Sequence, residues 1–214
     1  TSTGYIAGYG ISFTGSNLST IKNNVINANN PSEARAISLD TDSSQNIITE
    51  NTINILGIDN SGLGGTGIYL SNAGVSNSIT NNTITIAGSS SNAVHVLGTQ
   101  LSSITNNTMT TNDTSAYVIQ LSSSSHNTTI SENNLNTTGA SNANGIEVTG
   151  STIGSIIDGN TLITTGNTST GINLQSSSYQ STIINNNIDT LKADGIGLNA
   201  VSNTTMERNV ITTN

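Results

Sequence analysis

The chain of 214 residues has no cysteine and no tryptophan, one proline, one phenylalanine and only four lysines and arginines. Without cysteine no disulfide framework can hold it together, and the redox compartment is left undetermined. With a net charge of −8 and no basic cluster there is nothing to hold a phosphate backbone, so nucleic acid is not an expected partner. No apolar run is long enough to cross a bilayer, and no charged-then-apolar leader is present. Helical periodicity is missing too. No window places apolar residues at i, i+3, i+4 and i+7.

What fills the chain is asparagine, serine and threonine, together nearly half of it, threaded by a phrase that recurs eight times. Its first part is small-apolar-x-apolar, as in Gly10-Ile11-Ser12-Phe13, Ala36-Ile37-Ser38-Leu39 and Gly67-Ile68-Tyr69-Leu70. Its second part carries an asparagine between apolar residues: Asn24, Asn51, Asn82, Asn107, Asn133, Asn160, Asn186 and Asn209. Successive asparagines are 27, 31, 25, 26, 27, 26 and 23 residues apart, and the Ile11-type positions 26, 31, 26, 25, 27, 26 and 24. Two independent markers keep step, so low-complexity disorder does not explain the composition. Inside each unit the apolar residues alternate, which is the strand period. Gly, Ser, Asn and Thr between them mark turns.

Units of this length with short strands predict an all-β fold, a single-stranded right-handed parallel β-helix of about eight coils, 1–214 forming one domain. A leucine-rich repeat fits less well, because its strand runs directly into its asparagine and here the two are well separated. Stacked about 4.8 Å apart, the eight asparagines would form an internal amide ladder. Asparagine also tolerates the left-handed turn that such a corner needs. They are therefore expected to be structural.

The quoted motifs, for example Gly171-Ile172-Asn173-Leu174 followed by Ile183-Ile184-Asn185-Asn186-Asn187-Ile188, resemble those of the right-handed parallel β-helix repeat proteins of the pectate-lyase-like superfamily. The likeness runs from about Gly10 to the end. It implies the fold and leaves function open, because members include polysaccharide lyases, hydrolases, epimerases, tailspikes, adhesins and autotransporter passenger domains.

Within the first strand of each unit, the outward position reads Ser12, Ser38, Tyr69, His95, Gln120, Glu147, Asn173, Gly197. Here alone an aromatic ring, an imidazole and a carboxylate share a row, so Tyr69, His95, Gln120, Glu147 and Asn173 are the candidate ligand-binding residues. The resemblance adds that catalytic relatives carry their groove on such a face. The longest insertion, Gly57 to Gly65, precedes Tyr69 and would wall one side. No catalytic residue is assigned: Glu147 is the only carboxylate in the middle of the row, and Lys22, Arg35, Lys192 and Arg208 are expected to lie elsewhere. No metal site or cofactor is expected; Asp40-Thr41-Asp42 offers too few oxygens for calcium. A Thr-x-Thr array at Thr83, Thr85, Thr108 and Thr110 invites an ice-binding reading, but breaks at Asn134. Glycosylation acceptors at Asn17, Asn81, Asn106, Asn112, Asn127, Asn136, Asn167 and Asn203 are no more than this composition gives by chance.

The functional expectation is an extracellular or cell-surface structural segment of a microbial adhesin type. It would present a rigid polar face to a glycan or a surface protein. A polysaccharide-acting enzyme and a self-assembling filament are the alternatives. Thr1 and uncapped ends suggest a slice of a longer β-helix, with end-to-end association or flanking domains of the same chain covering its edges.

Overall fold

The computed structural model describes residues 8–28, 34–56 and 65–214. Its 24 strands fall into three parallel sheets of eight, each built from every third strand. The chain passes once through each sheet and then begins the next rung. In the second rung those passes are Arg35–Asp40, Ile47–Thr49 and Thr52–Leu56; in the sixth they are Ile146–Val148, Ile156–Asp158 and Thr161–Thr164. Register is strict. Ile11, Ile37, Ile68, Val94, Ile119, Ile146, Ile172 and Ile196 pair in one unbroken row.

Alternation decides which side chains go in. Ile37 and Leu39 in the first sheet, Ile48 in the second, and Ile53 and Ile55 in the third are buried, and their counterparts stack on them rung after rung. No rung could bury these alone; each covers the next. Where the first strand bends toward the third sheet there is little room. A Cβ on Gly67 would lie 2.5 Å from the Ala93 carbonyl oxygen and 2.8 Å from Ile84 Cγ2. The other rungs mostly place Gly or Ala at this corner, with Val118 the largest occupant.

The asparagine ladder is present and continuous. Each amide nitrogen donates to the next Oδ1, from Asn24 to Asn51 (3.0 Å) through to Asn186 to Asn209 (3.0 Å). The second amide proton reaches back to a carbonyl of the preceding rung, as from Asn107 to Ile79 (2.9 Å). From Asn51 on, each Oδ1 also accepts a backbone N–H, as Asn107 Oδ1 does from Asn82 (2.9 Å). One side chain thereby ties three rungs together.

Two features differ from expectation. The left-handed residue of this corner is not the ladder asparagine but the one before it: Asn23, Glu50, Asn81, Asn106, Glu132, Gly159, Asn185 and Arg208 all have φ between 52° and 66°. Glutamate and arginine have no intrinsic taste for that conformation. The ladder imposes it. The second feature is a short inner amide column five residues earlier, where Asn46 donates to Asn77 Oδ1 (3.2 Å). From the fourth rung to the seventh, that position becomes Ser102, Thr128, Ser155 and Ser181, all buried.

Candidate functional site

The outer face of the first sheet carries three columns of side chains. The central one is the row Ser12 to Gly197; the flanking ones lie three residues before it and two after. On the other two sheets the outward positions are mostly small hydroxyls and amides. Thr83 and Thr108 pair in register, as do Thr85 and Thr110, and the next rung replaces them with Asn134 and Asn136. On the second sheet Thr80 and Thr49 hydroxyls bond each other at 3.1 Å. Only the first sheet mixes rings, a cation and a carboxylate.

At one end of that face, the Arg35 guanidinium stacks on the Tyr69 ring, 3.9 Å from its centroid, and approaches Tyr9 at 5.6 Å. This corrects the expectation that Arg35 lies apart from the row. The registering position is one rung back, but the long side chain spans it. Tyr69 meets His95 edge to face, with centroids 5.2 Å apart. His95 Nε2 lies 2.9 Å from Ser122 Oγ. Burial, and secondarily the Arg35 charge, pull the His95 pKa down from 6.5 to about 4. The imidazole is therefore neutral at physiological pH.

In the centre, Asn92 donates its amide to Gln120 Oε1 at 2.9 Å, and its own Oδ1 is buried without a partner among the described residues. Exchanging the amide O and N of Asn92 moves the unsatisfied atom to the nitrogen without removing it. The hydroxyls of Ser102, Ser155, Ser181 and Thr204 are in the same state, and each such atom costs stability. Beside it, Tyr117 is half-buried. Its phenol pKa is raised, by burial first and by Glu147 second. It keeps its proton.

At the far end Glu147 departs most from expectation. The sequence places it outward as a candidate ligand contact, yet it is 1% exposed. Asn144 (2.7 Å), Asn173 (3.0 Å) and Gln175 all donate to its carboxylate. Ser38, earlier in the same row, is buried as well, and its hydroxyl bonds Asp40 Oδ2 at 2.8 Å. Tyr69, His95, Gln120 and Asn173 are half-buried along one line. The sequence reading missed Arg35, Asn92, Tyr117, Asn144 and Gln175. Aligning the repeats three residues before and two after the central row finds all five. The insertion expected to wall the site falls on residues 57–64, outside the described residues.

Among the described residues no group of His, Asp and Glu is arranged to hold a metal. No helix is long and apolar enough to cross a membrane. The two described ion pairs, Lys22–Glu50 (3.1 Å) and Arg208–Glu207 (3.0 Å), are both exposed and remote from this face.

A three-sheeted parallel solenoid with an internal amide ladder defines a class of protein. The family model described as a right-handed beta helix region matches residues 92–214, more than half of the chain. The chain belongs to that right-handed β-helix family. No curated protein matches it. Among solved structures, the TibC-catalyzed hyper-glycosylated TibA55-350 fragment aligns over 92% of this chain and 99% of that one. Identity is 12% and the TM-score 0.14, a level of likeness that says nothing of function.

Proposed function

We propose that this β-helix is a rigid extracellular structural segment whose first-sheet face binds a glycan. The observation that carries the reading is the line of Tyr69, His95 and Gln120 on three successive rungs, resumed at Asn173 beyond the buried Glu147. It is half-buried and mixes ring faces with amides, whereas no strand of the other two sheets carries an aromatic ring. Rings and planar amides at about 4.8 Å spacing suit a ligand that is itself extended and repetitive.

A non-catalytic role is favoured by the spacing of acids. On this face Asp40 lies four rungs from Glu147, about 19 Å, and Asp194 two rungs from it, about 10 Å before any lateral offset, whereas two-carboxylate glycoside hydrolysis needs about 5–10 Å. Glu147 is moreover closed off by amides.

The test is a glycan array probed with the chain and with Tyr69→Ala. Binding to a defined set of oligosaccharides, weakened about tenfold or more by the loss of the ring, supports the reading. An array with no signal, or signals unchanged by Tyr69→Ala, overturns it.

A further inference from the structure

Glu147 is an anion taken out of water without a cation beside it. Its side-chain partners among the described residues are three neutral amides, and neither of the described ion pairs includes it. Amide dipoles solvate the carboxylate but leave its net charge, and in a site of low dielectric that charge is felt at the surface nearby.

The amides also acquire a fixed direction. An amide that turns its N–H group toward the carboxylate must present its C=O elsewhere. Asn144 uses its oxygen on the Thr170 N–H at 2.8 Å. Asn173 Oδ1 and Gln175 Oε1 take no donor from the described residues, and both side chains are half-buried, not enclosed. The next rung leaves the first of these oxygens open. Its central position is Gly197, where a Cβ would sit 2.9 Å from Asn173 Oδ1 and 3.4 Å from Thr170 Cγ2. The result is a small notch beside two open amide oxygens, with the Thr170 methyl group on its wall, backed by an uncompensated negative charge.

We propose that this notch on rungs six to eight is an ammonium subsite, receiving the protonated amine of an amino sugar on Asn173 Oδ1 and Gln175 Oε1. The inference rests on the glycan reading above and names its ligand class, a polysaccharide with free amino groups. Glu147 is the positioning residue: it never touches the ligand, but it aims both amides and supplies the charge that distinguishes an amine from a hydroxyl or an acetamide. The chain's net charge of −8 acts in the same direction at low salt.

The experiment is calorimetric titration of the chain with two oligosaccharides of equal length, a glucosamine oligomer and its N-acetylated counterpart, at low and high salt. The free-amine oligomer is expected to bind about tenfold more tightly at low salt, with the preference shrinking as salt is added. Gly197→Ala, which fills the notch at an ordinary backbone conformation, should remove the preference and leave N-acetylated binding and thermal stability in place. Glu147→Gln should also abolish the preference. If that variant does not fold, Gly197→Ala decides alone. Equal affinity for the two oligomers, or a preference indifferent to Gly197→Ala, overturns the ammonium subsite while the glycan reading stands. Failure of both oligomers on a chain that binds other glycans overturns it too. A chain that binds no glycan, but takes up a lysine-bearing peptide at the notch, overturns both.

Discussion

The internal asparagine column and the outer row of the first sheet share one backbone lattice, one residue per rung in strict register, and could hardly be less alike in content. The inner column repeats one residue from Asn24 to Asn209 and links it amide to amide. The outer row changes at almost every step, from Ser38 through Tyr69, His95, Gln120 and Glu147 to Gly197. The difference separates two jobs. At that corner the amide satisfies its own column in the dry interior and repeats, whereas the neighbouring inner column changes from Asn46 and Asn77 to Ser102 and Thr128 and leaves the Ser102 hydroxyl without a partner among the described residues. A column facing outward is free of that constraint, and its departures from uniformity are where recognition can be built.

That contrast can be broken most forcefully at the ladder. Asn107→Leu removes the donor to Ile79 O and Asn133 Oδ1 and the acceptor for Asn82. Several buried groups are orphaned together, and a loss of about 4 kcal/mol in denaturant unfolding is expected. A loss below about 1 kcal/mol would show that the ladder is ornamental to stability.

Next comes pH. Folded His95 takes its proton only near pH 4, whereas the unfolded chain takes it near 6.5. Between those values the unfolded state binds more protons, so stability falls as pH drops from 6.5 to about 4 and is flat in this respect above and below. The full effect is at most about 3 kcal/mol. Unfolding curves across that window, compared with those of His95→Gln, should show the slope disappear in the variant.

A smaller effect concerns the row itself. Arg35→Met keeps much of the side-chain bulk over Tyr69 and removes the charge, and should cost about 1 kcal/mol. The same variant should raise the pH midpoint of His95, read by NMR, because one of the two influences holding it down is gone.

The smallest change has the opposite sign. Glu132 holds a φ of 55° at the corner where another rung has Gly159. Glu132→Gly relieves that conformation and should stabilise the chain by about 0.5–1 kcal/mol, visible as a raised melting temperature. No gain would mean that glutamate side-chain contacts offset the backbone cost.

Much of this was legible in the residues. Alternating Ile, Leu and Val with a recurring asparagine specify strands, rung length and ladder, because these follow from local period and from the need to satisfy buried amides. The row Tyr69, His95, Gln120, Glu147, Asn173 was legible as a row for the same reason. The covering of Glu147 was not. Gln175 is 28 residues away in the chain and belongs to the next rung, so period alone could not show that it closes over the carboxylate. Arg35 is likewise solitary in sequence, and only its reach across one rung places it on Tyr69.

By itself, then, the sequence determined that this chain is a parallel β-helix and which residues face in, since alternation and repeat length are local properties carried along the strand. Only the tertiary structure decided which outward residues are solvated, which are buried against one another and which carry a shifted pKa. Those outcomes depend on how side chains of neighbouring rungs, some 26 residues apart, lean over each other across a gap of about 4.8 Å.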